Sequence, residues 1–155
     1  MKLKSTEKAY IAGLIDGEGS IFICKQKRWK SGKFGYQLRI VVGMNDRAPI
    51  EYLKKKLDGG FTQTIKYKNK NWRTSYRWVL CDERASNLLK KIKKYLLVKN
   101  KEAEIGIELR RTFKKKNHKY REHLYQKISK TTRKRTNNGR SNIKKDKNKK
   151  SLYGY

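Results

Sequence analysis

Residues 11–19 read IAGLIDGEG, a run of five apolar or small residues that ends in two acidic residues separated by glycine. With Ala9 and Tyr10 before it, the run predicts a helix over residues 7–16, with Thr6 as its N-cap. This helix is apolar on nearly every side, so we expect it to be buried on more than one face. Gly17 and Gly19 end it.

The two acidic residues stand where negative charge is unfavourable. A helix C-terminus carries a partial negative charge and unpaired carbonyl groups. Asp16 and Glu18 are therefore unfavourable there unless a cation binds nearby, and carboxylate and carbonyl oxygens together suit Mg²⁺. Phosphodiester cleavage needs a metal to activate water and to stabilise the leaving oxygen, so such a site would serve that reaction. The alternative interpretation is a solvated helix end punctuated by glycine.

Two hairpins with alternating side chains follow the first helix. Asp46 and Asp82 are expected to cap the helices after each hairpin, and Asn100 begins a fourth helix. This order predicts an α+β fold with an αββαββα core, in which helices cover one face of a four-stranded antiparallel sheet. The other face is left polar and cationic. The predicted strands span residues 20–29, 36–44, 61–68 and 72–80.

The chain divides into three predicted parts. Residues 1–113 form the core, and residues 114–131 form one more helix with Leu124 and Ile128 on its apolar side. Residues 132–155 read as a basic, disordered tail, because almost no apolar side chains are available there to pack. From residue 114 onward the chain has 16 Lys and Arg against Glu122 and Asp146.

The overall charge indicates a polyanionic partner. In 155 residues, 43 Lys and Arg stand against 13 Asp and Glu, a net charge of +30. Nucleic acid is the first candidate. A membrane is not expected, because no apolar run approaches the roughly 18 residues of a spanning helix. Ribosomal proteins share this composition, so charge alone does not indicate an enzyme. Two Cys and two His are too few for a disulfide framework or a nitrogen-and-sulfur metal site, so oxygen ligands must hold any catalytic metal.

Residues 11–19 resemble the LAGLIDADG signature of a family of homing endonucleases, with Ile11 in place of Leu, Gly17 in place of Ala and Glu18 in place of Asp. The order of helices and hairpins after the motif also fits this family, over roughly residues 5–113. The resemblance implies a saddle-like sheet that binds DNA. It also implies site-specific, Mg²⁺-dependent double-strand cleavage that leaves short 3′ overhangs and supports intron mobility. Mn²⁺ or Ca²⁺ would be able to replace Mg²⁺ in binding.

The resemblance also assigns roles within the motif. Glu18 is the expected direct metal ligand, the carbonyl group of Gly19 completes the site, and Asp16 is structural at the helix end. Ala12 and Gly13 are small where two motif helices of the family pack together, so we place them, with Asp16, at a dimer interface. The chain has one copy of the motif and no internal repeat. A homodimer with a pseudo-palindromic target is therefore expected.

Two further active-site residues follow from the resemblance. Lys99, just before the last core helix, is expected near the scissile phosphate. Asn45, where the second strand meets the second helix, would orient water. If Met44 occupies the family's polar position instead, that role is missing.

The open face of the sheet is the expected DNA-binding surface. Antiparallel hairpins fit the major groove, and alternate residues of each strand then reach base edges. Arg usually reads guanine and Gln adenine, while other contacts go only to phosphate. The phase of the third strand stays open; its more polar side carries Thr62, Thr64 and Lys66. The candidate DNA-binding residues are Gln26, Arg28, Gln37, Arg39, Lys66, Lys68, Arg73, Ser75 and Arg77.

Two other functions stay open at this point. Some members of the family assist intron splicing, so an RNA-binding maturase with intron RNA as its partner is one alternative. A non-catalytic DNA-binding regulator is the other, although Glu18 together with Lys99 argues against it. The expected location is intracellular and reducing, in a mitochondrion or chloroplast or in a prokaryotic or phage-infected cytoplasm.

Overall fold

The computed structural model describes most of the chain, with side chains as far as residue 135. Arg28, one of the predicted DNA contacts, lies outside the described residues. The described ranges are residues 3–27, 32–57, 59–69, 71–113 and 117–150.

The structure confirms the α+β class and the order of the elements. The four strands form one antiparallel sheet in the order β1-β2-β4-β3, so the two hairpins lie side by side through β2 and β4. The elements are α1 (Ser5–Glu18), β1 (Gly19–Lys27), β2 (Phe34–Met44), α2 (Ala48–Lys56), β3 (Phe61–Ile65), β4 (Ser75–Cys81), α3 (Asp82–Ile92), a 3-10 turn (Lys93–Tyr95), α4 (Asn100–Thr112) and α5 (His118–Lys150).

Helix α1 is buried along one side only, whereas its composition predicted burial on more than one face, and it starts earlier than expected. Ile11 and Ile15 are completely buried, in contact with the core that also receives β2 and α3. Thr6 is not the N-cap, because the helix already begins at Ser5 and Lys4 is the capping residue. The Lys4 backbone N–H donates to Glu7 Oε2 at 2.9 Å, so a carboxylate reaching back from the first turn closes this end instead of a threonine hydroxyl.

Alternation along the strands gives the sheet one dry face and one open face. In β2, Leu38, Ile40 and Val42 are buried in the core, while Gln37 and Arg39 point to the other side. Trp78 and Leu80 of β4 are buried on the same side as these β2 residues, because they pair with Val42 and Ile40. Both strands of the second hairpin are shorter than expected, since β3 ends at Ile65 and β4 begins at Ser75.

The two aspartates expected to cap helices behave differently. Arg47, not Asp46, is the N-cap residue of α2, but Asp46 just before it still bonds to the first turn, because its Oδ1 accepts the Ala48 N–H at 3.0 Å. Asp82 does not cap α3. It is the first residue of α3 and has a φ of +52°, and Cys81 stands at the N-cap position without a side-chain cap bond. The Asp82 carboxylate instead accepts a hydrogen bond from Gln37 Nε2 of β2, so it bonds to the sheet and not to the end of the helix.

Helix α5 extends beyond the predicted end. Leu124 and Ile128 are 2% exposed, which confirms them as the apolar side of a docked helix. The helix continues to Lys150 instead of ending near residue 131. The chain's single proline is Pro49, so no proline interrupts this segment, and its many Lys and Arg residues are good helix formers. The scarcity of apolar side chains in this segment does not prevent a helix, because the backbone hydrogen bonds of a helix lie within the segment itself.

Polar contacts tie α5 to the edge of the sheet. Lys25 of β1 forms an ion pair with Glu122 at 2.7 Å, and the Tyr36 hydroxyl donates to the same carboxylate. Burial and the hydrogen bond to Glu122 raise the pKa of Tyr36 to about 12. The Lys25 and Tyr36 hydrogen bonds lower the pKa of Glu122 to about 2.

None of the described helices is long and apolar enough to cross a membrane.

Candidate active site

Glu18 stands at a tight corner between the motif helix and the first strand. It is the last residue of α1 and is exposed, while the next residue, Gly19, is buried and begins β1. The Gly19 N–H donates to the Ile15 carbonyl. A Cβ at Gly19 would lie 2.7 Å from that carbonyl oxygen and 2.8 Å from Ile15 Cα, so only glycine fits. The corner therefore depends on Gly19 and presents the Glu18 carboxylate to solvent.

The donors at this corner suit a hard cation but do not complete its shell. Carboxylate and carbonyl oxygens are the ligands that Mg²⁺ prefers, and proteins usually hold it with one or two carboxylates plus water and phosphate oxygens. Among the described residues, no group of three His, Cys, Asp or Glu side chains could hold a metal ion. One copy of the chain thus offers Glu18 as a single carboxylate, and the carbonyl group of Gly19 beside it.

Asp16 connects the end of α1 to the segment that leads into α4. Its carboxylate accepts three backbone N–H groups, those of Leu97 at 2.6 Å, Val98 at 3.2 Å and Lys99 at 2.9 Å. The Lys99 ammonium group donates to the Asp16 carbonyl oxygen in return. Asp16 therefore has a structural role at the helix end, as the resemblance implied, and it fixes the backbone from which Lys99 projects.

Lys99 lies in the same corner as Glu18. It is 6% exposed and is the N-cap residue of α4. Burial lowers the pKa of Lys99, and Arg135 adds to the effect, while Asp16, Glu102 and Glu18 oppose it. The structure thus brings together the Glu18 carboxylate and the Lys99 ammonium group, which are 81 positions apart in the sequence.

Glu102 and Arg135 are charged residues near this corner that the sequence did not single out. Glu102 is 1% exposed in the first turn of α4, and its carboxylate forms an ion pair with Arg135 of α5. A buried charge is costly unless it is paired, so α5 stabilises the start of α4 beside Lys99. A glutamate in the first turn of a helix is ordinary, and nothing in the sequence marks this one as buried.

Asn45 lies at the same end of the sheet as the motif corner. It is exposed and follows the last residue of β2. Gly19, the first residue of β1, pairs with Val42, so β2 runs on past the start of β1 toward Asn45. Its expected role in orienting water stays a prediction that rests on this position.

The outward face of α1 differs from the predicted one. Ala12 is 0% exposed within a single copy of the chain, so placing it on the dimer-forming surface was wrong. It points into the protomer's own core, because it lies on the same side of the helix as Ile11 and Ile15. Gly13 is exposed, and a Cβ there would meet nothing within 4 Å. Ala9 and Gly17, one turn to either side, are exposed on that face as well.

The open face of the sheet carries several of the predicted DNA contacts. Gln37 and Arg39 of β2 lie there, with Ser75 and Arg77 of β4, and Gln26 is exposed near the end of β1. The remaining described candidates are exposed in the connections of the second hairpin and lie outside its strands: Lys66, Lys68 and Arg73.

The third strand adds a residue that the sequence left open. Gln63 pairs with Arg77, and directly opposed residues share a face, so Gln63 lies on the open side. Thr62 and Thr64 pair with Trp78 and Tyr76, on the side of the core. Polar residues occur on both sides of this strand, so its composition alone could not indicate the phase.

A family model described as LAGLIDADG endonuclease matches residues 11–106 of this chain. A comparison with curated protein sequences finds no match. Several solved structures are similar in fold. The homing endonuclease I-CvuI in complex with the I-CreI target is 16% identical with a TM-score of 0.67, over 81% of this chain and 82% of that chain. The archaeal intron-encoded I-Vdi141I complexed with DNA is 20% identical with a TM-score of 0.68, over 81% and 84%.

A third similar structure is longer than this chain. The I-LtrWI LAGLIDADG homing endonuclease bound to target DNA is 22% identical with a TM-score of 0.62. The match covers 84% of the present chain but only 44% of the I-LtrWI chain. At these identities the similarity concerns the fold.

The Asp16 bridge predicts a specific loss of stability. In Asp16→Ala, the three N–H groups of residues 97–99 lose their acceptor, so we expect the free energy of unfolding to fall by about 3 kcal/mol. Asp46→Ala is the matched control, since it removes a single exposed hydrogen bond and should cost about 1 kcal/mol. Urea unfolding followed by tryptophan fluorescence measures both. Equal decreases in the two variants would contradict the bridge.

Proposed function

The chain belongs to the LAGLIDADG endonuclease family, and on that premise we propose that it is a site-specific homing endonuclease. It would act as a homodimer on a long pseudo-palindromic site in double-stranded DNA. It would leave a double-strand break with short 3′ overhangs and so support the mobility of an intron. The observation that carries this proposal is the exposed Glu18 carboxylate, held at the α1–β1 corner beside the buried Lys99.

The charge and the open face of the sheet support DNA as the substrate. A net charge of +30 favours a polyanion, and neutralising phosphates with Lys and Arg provides binding energy through counterion release. Arg39 and Arg77 both lie on the open face, from which the side chains of strands in a major groove reach base edges. The I-CvuI and I-Vdi141I chains, which have a similar fold, are in complex with DNA.

Each residue of the corner has a proposed part in cleavage. Glu18 and the Gly19 carbonyl would hold Mg²⁺, with Mn²⁺ or Ca²⁺ able to replace it in binding. When bound, the cation would supply activation of water and stabilisation of the leaving oxygen. Lys99 would pair with the scissile phosphate, and burial ensures that little water competes for its charge. Asn45 would orient the attacking water from the end of β2.

A second copy of the chain would complete the enzyme. One copy has one motif and one Glu18, which is half of what a cut through both strands requires. The outward face of α1, formed by Ala9, Gly13 and Gly17, is small enough for two backbones to approach closely. A two-fold axis there would bring both Glu18 corners together.

Glu18→Gln tests the metal-dependent step. Removing the charge of the single carboxylate should lower the cleavage rate in Mg²⁺ by at least about 100-fold, while the affinity for DNA stays within a factor of about two. Glu51→Gln on the exposed side of α2 should cut at the wild-type rate. The measurement is single-turnover cleavage of a selected duplex, with filter binding in parallel. Wild-type cleavage by Glu18→Gln would refute the proposed role.

Gly13→Leu tests the dimer. Because a side chain at residue 13 meets nothing within the protomer, the variant should fold, with up to about 1 kcal/mol gained from better helix propensity. It should nevertheless sediment as a monomer. Asn87→Leu, which adds the same side chain to the exposed side of α3, should leave the association state unchanged. A wild-type protein that stays monomeric alone and on DNA would rule out the dimer.

The end of α5 is expected to bind phosphate without reading sequence. Residues 136–155 contain six Lys and Arg against Asp146, and their removal leaves the Glu102–Arg135 ion pair intact. Deletion should weaken binding to target and scrambled duplexes alike. The slope of log K against log salt should flatten by about 0.9 for each phosphate that the deleted segment neutralises. Poorer discrimination between the duplexes at an unchanged slope would show instead that this segment reads sequence.

A further inference from the structure

Strand β4 leaves the sheet before it has paired with the whole of β2. The pairing of β2 with β4 extends only as far as Arg39, which lies opposite Cys81. The next residue, Asp82, turns the chain into α3 with a φ of +52°, a region that residues other than glycine rarely occupy. Gln37, two residues along β2 on the open face, therefore has no β4 residue opposite it. The Asp82 side chain fills this place.

A chain of two hydrogen bonds runs from Asp82 across the open face. Gln37 Nε2 donates to Asp82 Oδ2 at 2.9 Å, and Arg39 Nε donates to Gln37 Oε1 at 2.8 Å. An ionised carboxylate can only accept, so Asp82 determines which end of the Gln37 amide faces it. The amide nitrogen turns to Asp82, and the amide oxygen is left for Arg39. Both ends of Gln37 are thereby used inside the protein.

Helix α4 holds Asp82, the first residue in this series of hydrogen bonds. Arg110 of α4 lies 3.6 Å from Asp82 Oδ1 and 3.0 Å from Glu83 Oε2. Arg110 thus helps Gln37 to hold the Asp82 carboxylate at the end of β4. A strained backbone at Asp82 persists only where its surroundings stabilise it, and these contacts supply that stabilisation.

We propose that Asp82 is a specificity-determining residue, which positions Arg39 through Gln37 for reading a guanine. The proposal rests on the proposed function, in which the open face binds DNA. Arginine reads guanine with its terminal amino groups, and the bond to Gln37 uses Nε alone. Fixing Nε restricts the rotamers of a long side chain before DNA arrives, so less entropy is lost on binding. Gln37 is a positioning residue here and reads no adenine.

Asp82→Gly is the principal test. Glycine adopts a positive φ without strain, and Arg110 keeps Glu83 as a partner, so the variant should fold while Gln37 loses its acceptor. Asp82→Asn also tolerates this backbone and keeps an oxygen that can accept from Gln37, so it should retain most of the preference. Gln37→Leu breaks the chain of bonds at its middle and covers the case in which a substitution at residue 82 disturbs folding.

The readout is binding, in buffer without divalent cations so that cleavage does not interfere. A duplex is first selected by the wild-type protein from a randomised pool, and each base pair is then varied. We expect Arg39→Ala to lose a guanine preference at one position of each half-site, by roughly 5-fold or more. Asp82→Gly and Gln37→Leu should relax that same position. Arg77→Ala, on the same face and outside the chain of bonds, should relax a different one.

The outcomes separate this proposal from the proposed function. If the wild-type protein shows no sequence preference, the reading of DNA by the sheet fails, and the role of Asp82 with it. If Arg39→Ala loses a guanine preference that Asp82→Gly retains in full, only the role of Asp82 is overturned. It is also overturned if Gln37→Leu loses an adenine preference at a position that Arg39→Ala leaves intact, because Gln37 would then read DNA itself.

Discussion

The carboxylate of Asp16 is the contact on which the candidate site depends. Without it, the end of α1 would lose three hydrogen bonds to the segment that leads into α4, and the Glu18 corner would be held less firmly relative to Lys99. A negative charge at a helix C-terminus is unfavourable by itself. Three backbone N–H groups and the Lys99 ammonium group offset that cost in this structure. The unfavourable position is thus the means by which two distant segments are joined.

Acidic side chains elsewhere in the chain also join segments of the fold. In the part of the chain that the structure describes, eight acidic residues form ion pairs with Lys or Arg, and several of these pairs join different helices. Glu18 forms none of these pairs in the described part of the chain, which leaves an exposed carboxylate for a cation. These acidic residues thus stabilise contacts within the protein, and the large excess of Lys and Arg is available to bind the phosphates of a nucleic acid.

Much of the fold was predictable because its signals are local. Alternation in β2 and β4, the apolar side of α1 and the bond of Asp46 to the first turn of α2 each depend on neighbours within a few positions, and the structure contains all of them. Predictions failed where a distant segment competes for the same group. The Asp82 carboxylate bonds to Gln37 and not to the end of α3, and Ala12 is buried in the protomer's own core and not exposed on the surface. Neither competitor is a sequence neighbour.

The sequence by itself determined the α+β architecture, the cationic character and the motif, including the Gly19 corner that presents Glu18. These follow from side-chain periodicity, from net charge and from the steric freedom of glycine, all of which are properties of short segments. Only the tertiary structure decided that Lys99 meets Asp16, that Glu102 is buried against Arg135, and that Gln63 shares a face with Arg77. The physical reason is that burial and strand register depend on which elements pack together. The distance between two residues along the sequence does not indicate whether their elements will pack.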